Sequence, residues 1–153
     1  SRFDFPIPRS PNFLSLSLQM SSESVTVQGI DGVNLRTRIF RPRDEIKDEN
    51  LGIVLVHPYS VLGGCQALLR GMATGLANAG YLAVTFDTRG VGRSTGSKSL
   101  TGFAEVKDVI SVCKWVCENL SVNRILLVGS SAGNLSQPFL RRLLEVNLLI
   151  ELW

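Results

Sequence analysis

Period-two alternation opens the regular part of the chain. Ser24-Val25-Thr26-Val27-Gln28 alternates polar and apolar positions, Gly29 to Gly32 supplies turn residues, and Val33 to Phe40 alternates again. That pattern predicts a β-hairpin with one buried face. Pro42 to Asn50 is polar and reads as a loop. Ile53-Val54-Leu55-Val56, bounded by Gly52 and Pro58, is a short continuous apolar run, as expected for a strand covered on both faces. Gln66 to Ala79 has helical spacing with Gly80 as its stop, despite Gly71 and Gly75 inside it. Tyr81 to Phe86 is a second buried strand. Phe103, Val106, Ile110, Cys113, Val116/Cys117 and Leu120 recur at helical spacing and predict a second amphipathic helix. Ile125 to Val128 is a third buried strand. An antiparallel pair followed by strand, helix, strand, helix, strand predicts an α/β fold, a mostly parallel sheet with flanking helices.

The two ends differ from this middle. Residues 1 to 19 begin with Ser1, contain Pro6, Pro8 and Pro11, and show no period. They read as a leader or disordered stretch ahead of Met20, or as the remnant of an organelle transit peptide. Residues 20 to 133 carry the orderly pattern. Residues 134 to 153 hold seven leucines (Leu135, Leu140, Leu143, Leu144, Leu148, Leu149 and Leu152) with Pro138 among them. A helix apolar nearly all round must be buried, so this atypical tail is expected to be a splice or frame product. It is also expected to cover a neighbouring strand poorly.

At 153 residues the chain suits one domain, and 44% hydrophobic against 19% charged residues permits a packed core. Sixteen Lys and Arg against 13 Asp and Glu leave a scattered charge of +3, which makes no case for nucleic-acid binding. No apolar run approaches the ~20 residues of a membrane-spanning helix. Cys65, Cys113 and Cys117 match no zinc or redox spacing, and an odd count favours a reducing, cytoplasmic setting. A plastid or mitochondrion follows only if residues 1 to 19 are a transit remnant. Cys113 and Cys117 read as core packing, Trp115 as helix rim, and neither metal nor cofactor is expected.

In an open, mostly parallel sheet, ligands gather at the carboxyl ends of the strands, which here means His57 to Gly64, Asp87 to Gly96 and Gly129 to Gly133. Gly129-Ser130-Ser131-Ala132-Gly133 is a G-x-S-x-G nucleophile elbow directly after a buried strand. Small flanking residues allow the tight turn, and Ser131 is the candidate nucleophile. Acyl transfer builds negative charge on a carbonyl oxygen, which two aimed N–H groups stabilise. The N–H of Ala132 is one candidate donor. The other falls in His57-Pro58-Tyr59-Ser60-Val61-Leu62-Gly63-Gly64, where Pro58 has no N–H, leaving Tyr59. Asp87-Thr88-Arg89-Gly90-Val91-Gly92-Arg93-Ser94 contains G-x-G but opens no helix and has no Walker lysine. It reads as a structural loop tied down by Asp87 and Arg89.

In their order and placement the three motifs resemble the N-terminal half of an α/β-hydrolase. More narrowly, they resemble the small lidless hydrolases related to dienelactone hydrolase and to serine aminopeptidase-type domains. The resemblance covers about Ser22 to Gly133. It implies a serine hydrolase acting on a small-molecule ester, thioester or amide through an acyl-Ser131 intermediate.

In such enzymes the acid and then the histidine follow the nucleophile. Residues 132 to 153 contain neither histidine nor aspartate, only Glu145 and Glu151. The single histidine, His57, precedes Ser131 and reads as a loop residue bonded to its neighbours rather than as a base. The triad is therefore expected to be incomplete, and the alternative is a non-catalytic truncated isoform acting through protein contacts. With no later strands, Ile125 to Val128 is expected to be an exposed apolar edge through which the chain associates with itself.

Overall fold

The computed structural model describes residues 22–58, 65–129 and 149–152, the last as backbone. Two antiparallel strands, β1 (Glu23–Gln28) and β2 (Asn34–Phe40), form the hairpin that the alternation predicted. They are followed by β3 (Leu51–Val56), a 3-10 turn (Gln66–Leu69) running into α1 (Arg70–Asn78), and β4 (Leu82–Phe86). Then come α2 (Phe103–Asn119), β5 (Arg124–Gly129) and β6 (Leu149–Leu152). The strands make one six-stranded sheet in the order β1-β2-β4-β3-β5-β6, with β2 antiparallel to β4 and the β4-β3-β5-β6 part parallel. The α/β architecture read from the sequence is the one observed.

Strand alternation divides the core into two layers. On one face Val27, Leu35, Ile39, Val54, Val84, Phe86, Ile125 and Leu127 pack with Val106, Val109, Ile110, Val112, Cys113 and Val116 of α2. On the other, Phe40, Ile53, Leu55 and Ala83 pack with Leu69, Ala73 and Ala77 of the first helical segment. Adjacent residues of one strand thus face different helices, because successive side chains point to opposite sides. This is why β3 and β4 read as unbroken apolar runs. Each fully buried large apolar side chain contributes roughly 1.5–3 kcal/mol. Cys113 is one of the buried residues, as its position in the helical stripe implied, and burial pushes its thiol up to about 12. Trp115 packs partly buried against the same cluster.

Three expectations need correction. The helix expected over Gln66 to Ala79 starts as a 3-10 turn and becomes α-helical only at Arg70. Phe103 begins the stripe of α2 on paper but is 54% exposed, while Val106, Val109 and Val112 are buried in the core. The third correction concerns β5, which is not an edge. Leu149–Leu152 pairs with it in parallel register, Arg124 opposite Leu149 through Leu127 opposite Leu152. The poor fit expected of the tail assumed a helix without a polar face. Extended chain needs only backbone N–H and C=O groups to continue a ladder, so its leucines are no obstacle there.

The α1 segment ends in a Schellman arrangement: Tyr81 N–H donates to the Leu76 carbonyl (3.0 Å) and Gly80 N–H to that of Ala77 (3.1 Å). Gly80 has φ +95°, and a Cβ there would lie 2.5 Å from the Glu45 carbonyl oxygen. The glycines inside α1 differ from it. A Cβ at Gly75 meets nothing within 4 Å. Gly75→Ala is therefore expected to stabilise the chain by about 0.5–1 kcal/mol through helix propensity and reduced unfolded-state freedom, seen as a raised melting temperature. A lowered one would show that the outer face of α1 is occupied.

Candidate active site

The registers of β3, β4 and β5 bring three strand ends to one level. Val56 lies opposite Phe86 on one side and opposite Gly129 on the other. His57, Asp87 and the first residue of the Gly129–Gly133 motif therefore stand side by side at the carboxyl end of the sheet. No residue pattern within any one segment encodes this alignment; strand pairing produces it.

Asp87 anchors the loop that follows β4. Its Oδ1 accepts from the Gln66 backbone N–H and its Oδ2 from Gln66 Nε2, both at 2.9 Å. Gln66 is fully used: Nε2 also donates to the Arg36 carbonyl (3.0 Å), and Oε1 accepts from Thr85 Oγ1 (3.0 Å). Farther along the loop, Ser94 Oγ donates to the Asp87 carbonyl and accepts from Arg36 N–H (2.8 Å), while Thr95 exchanges bonds with Asn34. The loop thus continues the pairing of β2 beyond β4. Gly92, at φ +54°, leaves space for the carboxylate, since a Cβ there would lie 2.5 Å from Asp87 Oδ2.

Arg89 locks the same loop to two other elements. Its backbone N–H donates to Asp108 Oδ2 (2.8 Å), and Nε and Nη2 reach the same carboxylate, Nη2 at 2.7 Å from Oδ1. Nη1 and Nη2 also grip Asp31 of the β1–β2 turn, at 2.8 and 3.0 Å. Asp108 is wholly buried and Asp31 partly exposed. The Asp108 carboxylate, then that of Asp31, hold the guanidinium well above its ordinary pKa. Hydrogen bonding from Arg89 holds Asp31 below the usual carboxylate range, while burial pushes Asp108 up against the N–H donors that favour its anion. The structural role read for Asp87 and Arg89 is what the geometry shows.

His57 is buried, and both ring nitrogens are engaged. A carbonyl only accepts, so the contact of Nδ1 with the Pro58 carbonyl (3.1 Å) puts the proton on Nδ1. Nε2 then carries the lone pair that accepts the Thr88 backbone N–H (3.2 Å), with Thr88 Oγ1 at the same distance. Burial lowers the pKa of the ring, opposed by the Pro58 carbonyl and the Asp87 charge, with Lys98 adding to the lowering. A base needs a free lone pair directed at its proton donor, and this ring's is already taken.

Ser131, Ala132 and Tyr59 lie outside the described residues. Glu151 lies in β6 opposite Leu126, short of the carboxyl end of the sheet where Gly129 stands. Glu145 is outside the described residues. Sequence reasoning missed Gln66 and Thr88 and did not connect Asp31 or Asp108 to Arg89. Only Asp108 carried a signal, a charge flanking an apolar helical stripe.

A mostly parallel, helix-flanked sheet with a G-x-S-x-G sequence beginning at the end of β5 matches the core of the α/β serine hydrolases. The family model of X-Pro dipeptidyl-peptidase (S15 family) matches residues 31–138, and the chain belongs to that family, within the α/β-hydrolase superfamily. An α/β serine hydrolase homologue from Coxiella burnetii is similar at 34% identity and TM-score 0.62, over 73% of this chain and 53% of its own. A lidless α/β serine hydrolase from Xanthomonas campestris is similar at 27% identity and TM-score 0.63, over 72% and 51%. An uncharacterised 31.7 kDa protein of Escherichia coli is 34% identical over 106 residues, 67% of this chain and 35% of that protein. The chain thus spans about half the length of these solved structures and about a third of the Escherichia coli protein.

Arg89→Ala would strand the buried Asp108 carboxylate and is expected to cost about 3–5 kcal/mol, whereas Asp31→Ala, at the exposed end of the cluster, should cost about 1 kcal/mol or less. Chemical denaturation of the two variants checks the order. His57 sets a pH dependence. Below its ordinary value of 6.5 the unfolded chain takes up a proton that the folded ring resists. Its contribution is full above pH 6.5 and is lost as pH falls from there to the lowered folded value. The melting-temperature gap between the wild-type chain and His57→Gln should narrow from pH 7.5 to pH 5, and a constant gap would show that the ring ionises freely.

Proposed function

We propose that the chain carries the nucleophile half of a serine hydrolase acting on a small-molecule ester, thioester or amide. The observation that supports this reading is the common level of Val56, Phe86 and Gly129, which sets Gly129, the first residue of the G-x-S-x-G motif, beside the strand end that His57 follows. In this reading Ser131 Oγ attacks the substrate carbonyl carbon, and the N–H groups of Tyr59 and Ala132 donate to the oxygen that becomes negative. Collapse of the tetrahedral intermediate expels the alcohol, thiol or amine and leaves an acyl-serine ester, which water then hydrolyses. The proton of Ser131 must pass to a base. Residues 132 to 153 contain no histidine, and the lone pair of His57 is bound by Thr88. The base and its acid partner are therefore assigned to neither His57 nor the stretch after Ser131, and turnover by these 153 residues is expected to be weak.

Cys65, Cys113 and Cys117 are all free thiols, which suits the cytoplasmic setting we assign. No helix among the described residues is long and apolar enough to cross a membrane.

A fluorophosphonate probe tests the reading, because its phosphorus is attacked by an activated serine oxygen. The folded chain should be labelled at Ser131, slowly for want of the triad base, and Ser131→Ala should not. An oxyanion pocket and binding alone leave about 10³–10⁴-fold acceleration over water. Absence of labelling in a chain that melts cooperatively would reject the hydrolase reading in favour of a non-catalytic isoform that acts through protein contacts.

A further inference from the structure

The helix layer formed by the first helical segment stops short of the hairpin. Of β1 and β2, Phe40 alone joins the cluster that Leu69, Ala73 and Ala77 make with β3 and β4 among the described residues. Alternation puts Arg38 and Arg36 on the same face as Phe40, while Leu35 and Ile39 turn toward α2. Across the antiparallel ladder Ser24 stands opposite Arg38 and Thr26 opposite Arg36, with directly opposed Cβ atoms about 4.5–5.5 Å apart. This uncovered face therefore carries two guanidinium groups and two hydroxyls.

The two arginines have no counter-charge. Both are partly buried, yet among the described residues neither side chain makes an ion pair or a hydrogen bond. Arg38 Nε is fully buried and without a hydrogen-bond partner, alone in this among the side-chain nitrogens and oxygens of the described residues. A buried N–H that has given up water almost always has an acceptor. Neighbouring elements supply none. Glu23 lies on the other face of β1 and pairs with Arg41. Residues 66 to 78 contain no Asp or Glu and add a further cation, Arg70. The Asp87 carboxylate already accepts from Gln66 through both oxygens, and the hydroxyl of Thr85, opposite Arg38 on β4, donates to Gln66. Arg89 is the contrast within the same chain, held between two carboxylates.

We infer that this hairpin face binds a tetrahedral oxyanion, a phosphate or a phosphate monoester, held by Arg38 and Arg36 with the hydroxyls of Ser24 and Thr26 as further donors. Alternate residues of a strand stand about 7 Å apart, so two long side chains on one face reach a single group. A guanidinium offers five N–H donors in a planar fork that matches phosphate oxygens. One such fork occupies both oxygens of a carboxylate, whereas a phosphate retains acceptors for a second arginine and for the hydroxyls. The frame is held in advance. Arg36 N–H donates to Ser94 Oγ, and the Arg36 carbonyl accepts from Asp87 N–H and Gln66 Nε2. The site needs neither Ser131 nor an acyl intermediate, and so stands apart from the hydrolase reading.

Titration of the full chain with inorganic phosphate at constant ionic strength, with chloride as the reference, tests the site. In 15N-arginine-labelled protein the Arg38 Nε–H signal, assigned by its loss in Arg38→Lys, should shift saturably with phosphate and not with chloride. Calorimetry should show binding weakened about tenfold or more in Arg36→Gln and in Arg38→Gln. Lys114→Gln, which removes the same charge from an exposed position of α2, should leave it unchanged. Arg38→Lys keeps the charge without the fork and should bind more weakly than the wild-type chain while melting at a similar temperature. Tighter binding of glycerol 3-phosphate than of inorganic phosphate would identify a phosphorylated small molecule as the ligand; equal affinity would identify the free anion. An Arg38 signal that does not saturate with phosphate, or an affinity that falls as much in Lys114→Gln as in the arginine variants, overturns the inference. A response to a poly-glutamate peptide with none to either phosphate also overturns it, and assigns the face to an acidic protein partner.

Discussion

One buried guanidinium holds the strand-end face of this molecule together. Arg89 sits between Asp108 on α2 and Asp31 on the β1–β2 turn, and its own backbone N–H completes the contact with Asp108. Three elements distant in sequence thereby meet at one side chain. Burying Asp108 costs several kcal/mol of lost hydration, and the converging N–H donors offset it. A lysine in place of Arg89 could not span two carboxylates with a planar fork of donors. The cluster sets where the loop from Asp87 to Lys98 runs, and that loop in turn holds His57.

A relay of restraint runs from the core to the candidate site. Asp108 fixes the amide of Arg89, the preceding amide of Thr88 fixes the imidazole of His57, and His57 bonds the carbonyl of Pro58. Every link is a hydrogen bond to or from backbone, so none depends on the flexibility of a long side chain. The glycines of the loop serve the same end: Gly92 lets the chain close over the Asp87 carboxylate.

The sheet shows how a short extended segment can resolve a local difficulty. As an unpaired edge, β5 would present a row of free backbone groups. Pairing with Leu149–Leu152 satisfies those groups, and it is indifferent to the helical pattern that made the tail look ill suited. The same principle explains the long apolar runs of β3 and β4, which lie inside the sheet with helices on both faces.

The chain's own pattern determined the element types, the α/β class and the buried faces, and it carries the G-x-S-x-G sequence. Each of these rests on local spacing: alternation for β1 and β2, a 3.6-residue stripe for α2, small residues around Ser131. It also marked Asp87 and Arg89 as loop anchors, through their place among glycines. The partners were not legible. Arg89 is 19 residues from Asp108 and 58 from Asp31, Gln66 is 21 from Asp87, and His57 is 31 from Thr88. Nothing periodic links such positions. They are joined because β2, β4, β3 and β5 pair in one order and register, and the choice among registers is settled by summed burial and backbone pairing over the whole sheet. Tertiary structure alone decided which strand ends stand level, that β6 pairs along the side of β5, and that both ring nitrogens of the one histidine are engaged by Pro58 and Thr88.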